Sequence, residues 1–228
     1  MIKNILFDLD DTLLDFRLAE RIALTKTLKH MGIEPRDEIL ARYSELNSSQ
    51  WKLLEQGLLT RSEVKIRRYE LLFDEIGANS DPVAATAYYE NLLGVGHYFI
   101  DGAEELLKLL CKDYALYIVS NGTAPVQKSR IESAKIGRYF KGIFISQLIG
   151  FDKPSIEFFN YCFSKIPKFR EDETIIVGDS LTSDIKGGIN ARIRSVWFNP
   201  RGVENTIDIL PDYEINKLAD LVPLINNI

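Results

Sequence analysis

The chain has 228 residues, 46% of them hydrophobic and 27% charged. This is enough apolar material for one large domain or a domain carrying an insertion, and too much for a disordered chain. Lys and Arg number 28 against 33 Asp and Glu, a formal charge of -5, which argues against a nucleic-acid polymer as partner because such binders need a basic surface. No apolar run approaches the ~20 residues that span a bilayer, so no membrane partner is expected. The N-terminus runs directly into the first predicted strand, so no signal peptide is expected. Cys111 and Cys162 stand singly in apolar helical patterns, without CxxC spacing, and read as buried thiols of a reducing compartment. The expectation is a cytoplasmic globular protein, monomer or homodimer.

Lys3 to Phe7 is a short apolar run that reads as a buried strand. The next stretch, to about Val95, contains no convincing strand. Four helical patterns fill it, over Phe16 to His30, Arg36 to Gln56, Arg61 to Ile76 and Pro82 to Leu93. Gly32, Gly57, Gly77 and Gly94 follow their ends, and Thr60 with Glu63 predicts a capping box. Further strands are predicted at Ala115 to Val119, Gly142 to Ile145, Thr174 to Val177 and Arg194 to Phe198, alternating with helices after Gly102, over Pro125 to Ile136 and over Ser155 to Ile166. Such alternation predicts an α/β fold, a Rossmann-like parallel sheet with helices on both faces. Between the first two strands lie roughly 80 residues more than the ~30 of one βαβ unit. The division that follows is a catalytic core of 1–14 and 96–228 with an inserted four-helix domain over 15–95.

Three predicted strands end abruptly in polar residues: Asp8-Leu9-Asp10-Asp11-Thr12, Ser120-Asn121-Gly122 and Gly178-Asp179-Ser180. Ligands of open parallel sheets bind at the carboxyl ends of strands near the switch point. A strand order of 3-2-1-4-5 brings all three ends to one crevice, crowding Asp8, Asp10 and Asp179, with Asp184 near. Carboxylates so placed need a positive counter-charge, and hard oxygen donors without His or Cys favour Mg2+. Each stretch also has a plainer reading as a loop, turn or helix cap, and Lys153 as a solvated lysine at a helix start. His30, at a helix end, and His97, in the return connection, read as structural.

Together, Asp8-Leu9-Asp10-Asp11-Thr12, Ser120, Lys153 and Gly178-Asp179 with Asp184 resemble the haloacid dehalogenase-like hydrolase superfamily in order and spacing, and the helical insertion resembles its first cap class. The resemblance implies a phosphatase in which Asp8 is the nucleophile, Asp10 the general acid and base, and Lys153 the charge partner of both nucleophile and transferring group. It implies phosphate contacts from Ser120 and from backbone N–H groups around Asn121 and Gly122. The Mg2+ would be held by Asp8, the Asp10 carbonyl and Asp179, with Asp184 as a more distant or alternative ligand. Dehalogenases of this superfamily lack the second aspartate, so the presence of Asp10 disfavours dehalogenation.

The stretches Asp8 to Phe16, Ser120 to Thr123, Gln147 to Pro154 and Gly178 to Asn199 are similar to the pyrimidine 5′-nucleotidase branch, which implies a nucleotide as the phosphoester substrate. The likeness departs at Ser155 and at Arg192, where glycine is usual. Phe16, Trp51 and Tyr69, with Tyr43, are candidate aromatic faces for a base, although such residues more commonly pack helix against helix. Arg61, Lys65, Arg67 and Arg68 read as a solvated basic face from which one arginine could reach substrate. The alternatives are a phosphatase of phosphoglycolate, a sugar phosphate or an acylneuraminate 9-phosphate, and, in another class, a phospho-acceptor signalling module or an inactive binding protein. Gly94 and Gly96 fit a hinge for a moving cap.

Overall fold

The computed structural model describes residues Met1–Ile228. β1 (Asn4–Phe7) is followed by four helices, α1 (Phe16–His30), α2 (Asp37–Glu55), α3 (Arg61–Ile76) and α4 (Pro82–Val95). The chain continues through α5 (Ala103–Leu110), β2 (Ala115–Ser120), α6 (Ala124–Ser133), β3 (Phe140–Ile145), α7 (Ser146–Ile149) and α8 (Ile156–Lys165). It ends with β4 (Thr174–Gly178), a π-turn over Leu181–Ile185 leading into α9 (Lys186–Asn190), then β5 (Arg194–Phe198), β6 (Tyr213–Ile215) and α10 (Leu221–Asn226).

All four residues of β1 are buried, the mark of a central strand covered on both faces. It pairs in parallel with β2 on one side and β4 on the other, Phe7 lying opposite Ile118 and Val177. The sheet order is β3-β2-β1-β4-β5-β6, the expected order of five extended by one edge strand. β6 has three residues, Tyr-Glu-Ile, too few to show a strand pattern. Along β1 alternate side chains go to opposite faces: Ile5 and Phe7 join α5 and α10 residues in one core, while Leu6 joins Phe158 and Phe159 of α8 in another.

The four helices of the insertion form their own core, in which Tyr43, Tyr69 and Tyr89 are fully buried. Their ends follow local chemistry. Thr60 and Glu63 exchange the two hydrogen bonds of a capping box, and Gly32, Gly57 and Gly77 adopt positive φ just past the ends of α1, α2 and α3. Gly94 differs from its expected terminal role. It lies inside α4, where a Cβ would come 3.3 Å from Ser129 Oγ of α6, so close helix packing sets its identity. The insertion's two connections run side by side: Asp15 N donates to Tyr98 O at 2.7 Å and Ile100 N to Leu13 O at 3.0 Å. Arg192, at the unusual position before β5, takes the left-handed conformation that glycine would favour, with φ of 56°.

Candidate active site

The carboxyl ends of β1, β2 and β4 converge as the strand order requires. Asp8 follows β1, and its Oδ1 accepts a 2.6 Å hydrogen bond from Lys153 Nζ. The same ammonium donates to Asp184 Oδ1 at 2.6 Å and to the Val119 carbonyl at 2.8 Å, so all three of its donors are used. Asp184 reaches back from the π-turn because residue 178 is glycine: a Cβ there would fall 2.2 Å from the Asp184 Cγ. The other Asp184 oxygen, Oδ2, accepts from Ser180 N at 3.1 Å. Trp197 Nε1 donates to the Asp179 carbonyl at 2.8 Å and fixes that backbone beside β4. Lys153 itself is held by Asn121, whose side chain bonds both the Lys153 N–H and its carbonyl at 2.8 Å.

One ammonium cannot balance this cluster. Carboxylate oxygens of Asp8, Asp179 and Asp184 lie within 4.8 Å of one another. Burial, together with the Asp184 and Asp10 charges and against the pull of Lys153, pushes the Asp8 carboxyl up to about 8. Burial and the charges of Asp8 and Asp184 likewise raise Asp179 well above the ordinary carboxylate range. Burial works against the Lys153 ammonium, but Asp184 and Asp8 outweigh it and hold Lys153 above the usual lysine value. Two carboxyl groups held back from ionising, Asp8 and Asp179, with the Asp184 carboxylate beside them, fit a hard divalent cation.

Asp10 is held by two residues that sequence reasoning passed over. Gln127 Nε2 donates to Asp10 Oδ2 at 2.6 Å and to Ser120 Oγ at 2.7 Å. The Arg130 Nη1 forms an ion pair with Asp10 Oδ1, and its Nε donates to the Gly96 carbonyl at 3.0 Å. Gly122 leaves room for this arrangement, since a Cβ would meet the Gln127 amide at 2.4 Å, and its N–H donates to Ser120 Oγ at 3.1 Å. The available signal was spacing: Gln127 and Arg130 stand three apart on one face of the helix after Ser120-Asn121-Gly122. Neither residue type advertises such a role alone.

A cleft of roughly 210 Å3 unites these groups with the helical insertion. Asp8, Asp10, Ser120, Asn121, Gly122, Lys153, Asp179 and Asp184 all line it, as do Phe16 and Trp51. Phe16 is placed by Asp11, whose Oδ1 accepts from the Phe16 and Arg17 N–H groups at 2.9 and 3.1 Å. Tyr69, expected on the cleft wall with Tyr43, instead packs in the insertion core, their ring centroids 5.0 Å apart. Burying a large ring between helices outweighs its use at the surface. The basic face also differs from expectation. Only Arg67 is exposed; Arg61 pairs with Asp152 and donates to Ser146 Oγ at 2.8 Å and Asn121 O at 3.0 Å, Lys65 pairs with Glu90 at 2.8 Å, and Arg68 is buried. Across the cleft Thr182 donates to Glu55 at 3.0 Å. The imidazoles stay outside the cleft: His30 stacks on Tyr88 with centroids 4.0 Å apart, and His97 Nδ1 lies 2.6 Å from Ser133 Oγ.

This strand order, with an acidic cluster at the carboxyl edge and a helical insertion after the first strand, agrees with the sequence comparison. The profile of the haloacid dehalogenase-like hydrolase family matches residues 5–198, and the chain belongs to that family. It is 40% identical to HAD-hydrolase YfnB of Bacillus subtilis over 98% of this chain and 95% of that protein. A YfnB crystal structure, bound to magnesium and described as revealing interdomain movement, covers 99% of both chains with a TM-score of 0.94. Pyrimidine 5′-nucleotidase PynA of Streptococcus pneumoniae is 36% identical over 96% of this chain and 93% of its own length. Pyrimidine 5′-nucleotidase YjjG of Escherichia coli is 26% identical over 97% and 96%. No helix is long and apolar enough to cross a membrane.

Proposed function

We propose that this chain is a Mg2+-dependent phosphatase that hydrolyses nucleoside 5′-monophosphates, pyrimidines preferentially. The observation that carries the chemistry is the buried contact of Asp8 with Lys153 in the same cleft as Asp10. A carboxylate oxygen of Asp8 attacks phosphorus, and the bond to the leaving ester oxygen breaks as Asp10 gives that oxygen a proton. Water then attacks the aspartyl-phosphate while Asp10 takes its proton, releasing inorganic phosphate and restoring Asp8. Lys153 keeps Asp8 in place, and Ser120 with the turn at Asn121 and Gly122 grips the phosphoryl oxygens. Gln127 and Arg130 aim Asp10.

Asp8, Asp179 and the Asp10 carbonyl would hold the Mg2+. Both Asp184 oxygens already have protein partners, so Asp184 acts through Lys153 and the Ser180 backbone. The metal, when bound, would offset repulsion between the Asp8 carboxylate and the phosphate dianion. The insertion, bounded at residues 15–95, serves as a cap, and its paired connections near Leu13 to Asp15 and Tyr98 to Ile100 are the hinge. The movement described for YfnB supports that reading. The nucleotide assignment rests on the PynA and YjjG relatives together with the aromatic lining from Phe16 and Trp51.

Two experiments test this. Rapid acid quench of wild type and Asp10→Asn during turnover should trap phosphate covalently on Asp8, with more accumulating in the variant; the absence of phosphoenzyme in both would contradict the mechanism. UMP should exceed ribose 5-phosphate in kcat/KM; equal values would remove the nucleotidase claim while leaving the phosphatase intact.

A further inference from the structure

Three cations line the cleft, and two are committed: Lys153 to Asp8 and Asp184, and Lys65 to Glu90. The third, Arg68, is 3% exposed and forms no ion pair with a carboxylate. Its Nη1 donates to Asn47 Oδ1 at 2.8 Å and its Nε to the Lys65 carbonyl at 3.3 Å. Asn47 in turn donates to Glu20 at 2.7 Å, so the nearest buried carboxylate is kept one amide away from the guanidinium. The rings of Tyr89, Tyr43 and Tyr69 surround it at 4.8, 5.7 and 5.8 Å, and their faces help offset the cost of burying the charge. Arg68 Nη2 makes no protein hydrogen bond, yet it is not sealed from solvent as the unpartnered Nη2 of Arg130 is. Among these contacts it is the donor left for a ligand.

We propose that Arg68 is a specificity-determining residue whose Nη2 donates to a ring carbonyl, O2 or O4, of a pyrimidine base. This deepens the nucleotidase reading and rests on it. The surroundings select a neutral acceptor over a second anion, because Glu55 and Glu90 share this wall and oppose a carboxylate-bearing substrate. Trp51 and Phe16 supply the apolar faces of the same cleft. Adenine has no ring carbonyl and would leave the buried donor unpaired, which is a strong basis for rejection. Two of these three tyrosines, Tyr43 and Tyr69, expected from their type to stack on substrate, instead hold the arginine that reads it.

The test compares kcat/KM for UMP, its 2-thio and 4-thio analogues, AMP and ribose 5-phosphate, in wild type, Arg68→Met and Arg68→Lys. Sulfur is the weaker acceptor, so wild type should lose severalfold or more on one thio analogue. Arg68→Met should lose about tenfold or more on UMP while staying within about threefold of wild type on ribose 5-phosphate, with Arg68→Lys between the two. Either of two results overturns the proposal: both thio analogues turning over like UMP, or Arg68→Met losing as much on ribose 5-phosphate as on UMP. Should Arg68→Met fail to fold, the thio comparison in wild type decides. A wild type that does not favour UMP over ribose 5-phosphate refutes the nucleotidase reading itself, a different outcome from preference for UMP without dependence on Arg68.

Discussion

Without metal, the acidic cluster should make the folded state less stable as pH rises from 6 to 8. Asp8 titrates near 8 in the folded chain against an ordinary carboxylate value of 3.8. Over that window the folded state therefore holds a proton that the unfolded state has released. Stability from such a group is complete below the unfolded value and is lost as pH climbs through the folded one. Integrated between pH 6 and 8, a folded value of about 8 gives a loss of about 2 kcal/mol. In a chain of this length that is roughly 4–8 °C of melting temperature. Lys153, held above the ordinary lysine value, stays charged throughout and adds no slope. Melting curves in EDTA at three pH values, with and without excess Mg2+, read this directly. The slope should appear in EDTA, flatten with Mg2+ because a cation favours the ionised cluster, and shrink in Asp8→Asn. A melting temperature in EDTA that is constant or rises from pH 6 to 8 would refute the reasoning.

Other predictions follow from single contacts. Gly178→Ala places a Cβ 2.2 Å from Asp184 and should expel that side chain, raising the Mg2+ concentration for half-maximal activity about tenfold or more; an unchanged Mg2+ titration would count against it. Arg130→Met removes the ion pair on Asp10 and should lower kcat about tenfold or more with a smaller change in KM; steady-state kinetics showing a KM effect alone would assign Arg130 to binding instead. Arg61→Ala cuts the ties from α3 to Asn121, Ser146 and Asp152, so KM should rise severalfold and amide exchange near Arg61 should quicken, whereas unaltered exchange would mean that these contacts do not hold the cap down.

The core was legible because each strand is a short apolar run with a polar end, and a parallel sheet must bring such ends together. The first three insertion helices were equally plain, since Gly32, Gly57, Gly77 and the Thr60–Glu63 box mark their limits locally, whereas α4 runs past Gly94, whose identity is set by packing on α6. β6 escaped notice because three residues carry no period. Gln127 and Arg130 escaped because their partners, Asp10 and the Gly96 carbonyl, lie far away in sequence, and a helical arginine looks the same whether buried or exposed. Tyr69 and Arg68 were misplaced relative to the cleft for a related reason. Residue type tells that a ring or a charge can meet a ligand, but only packing decides which side chain faces the cleft. Here the ring went inside and the cation beside it reached the wall.

The most direct measurement is phosphate release from UMP, dUMP, dTMP, AMP, phosphoglycolate and several sugar phosphates, with Mg2+ and with EDTA, by wild type and Asp8→Asn. Turnover should be led by the pyrimidine nucleotides and abolished by chelation and by Asp8→Asn, while Asp8→Asn stays folded. Turnover that survives EDTA, or that persists in Asp8→Asn, would contradict the central claim.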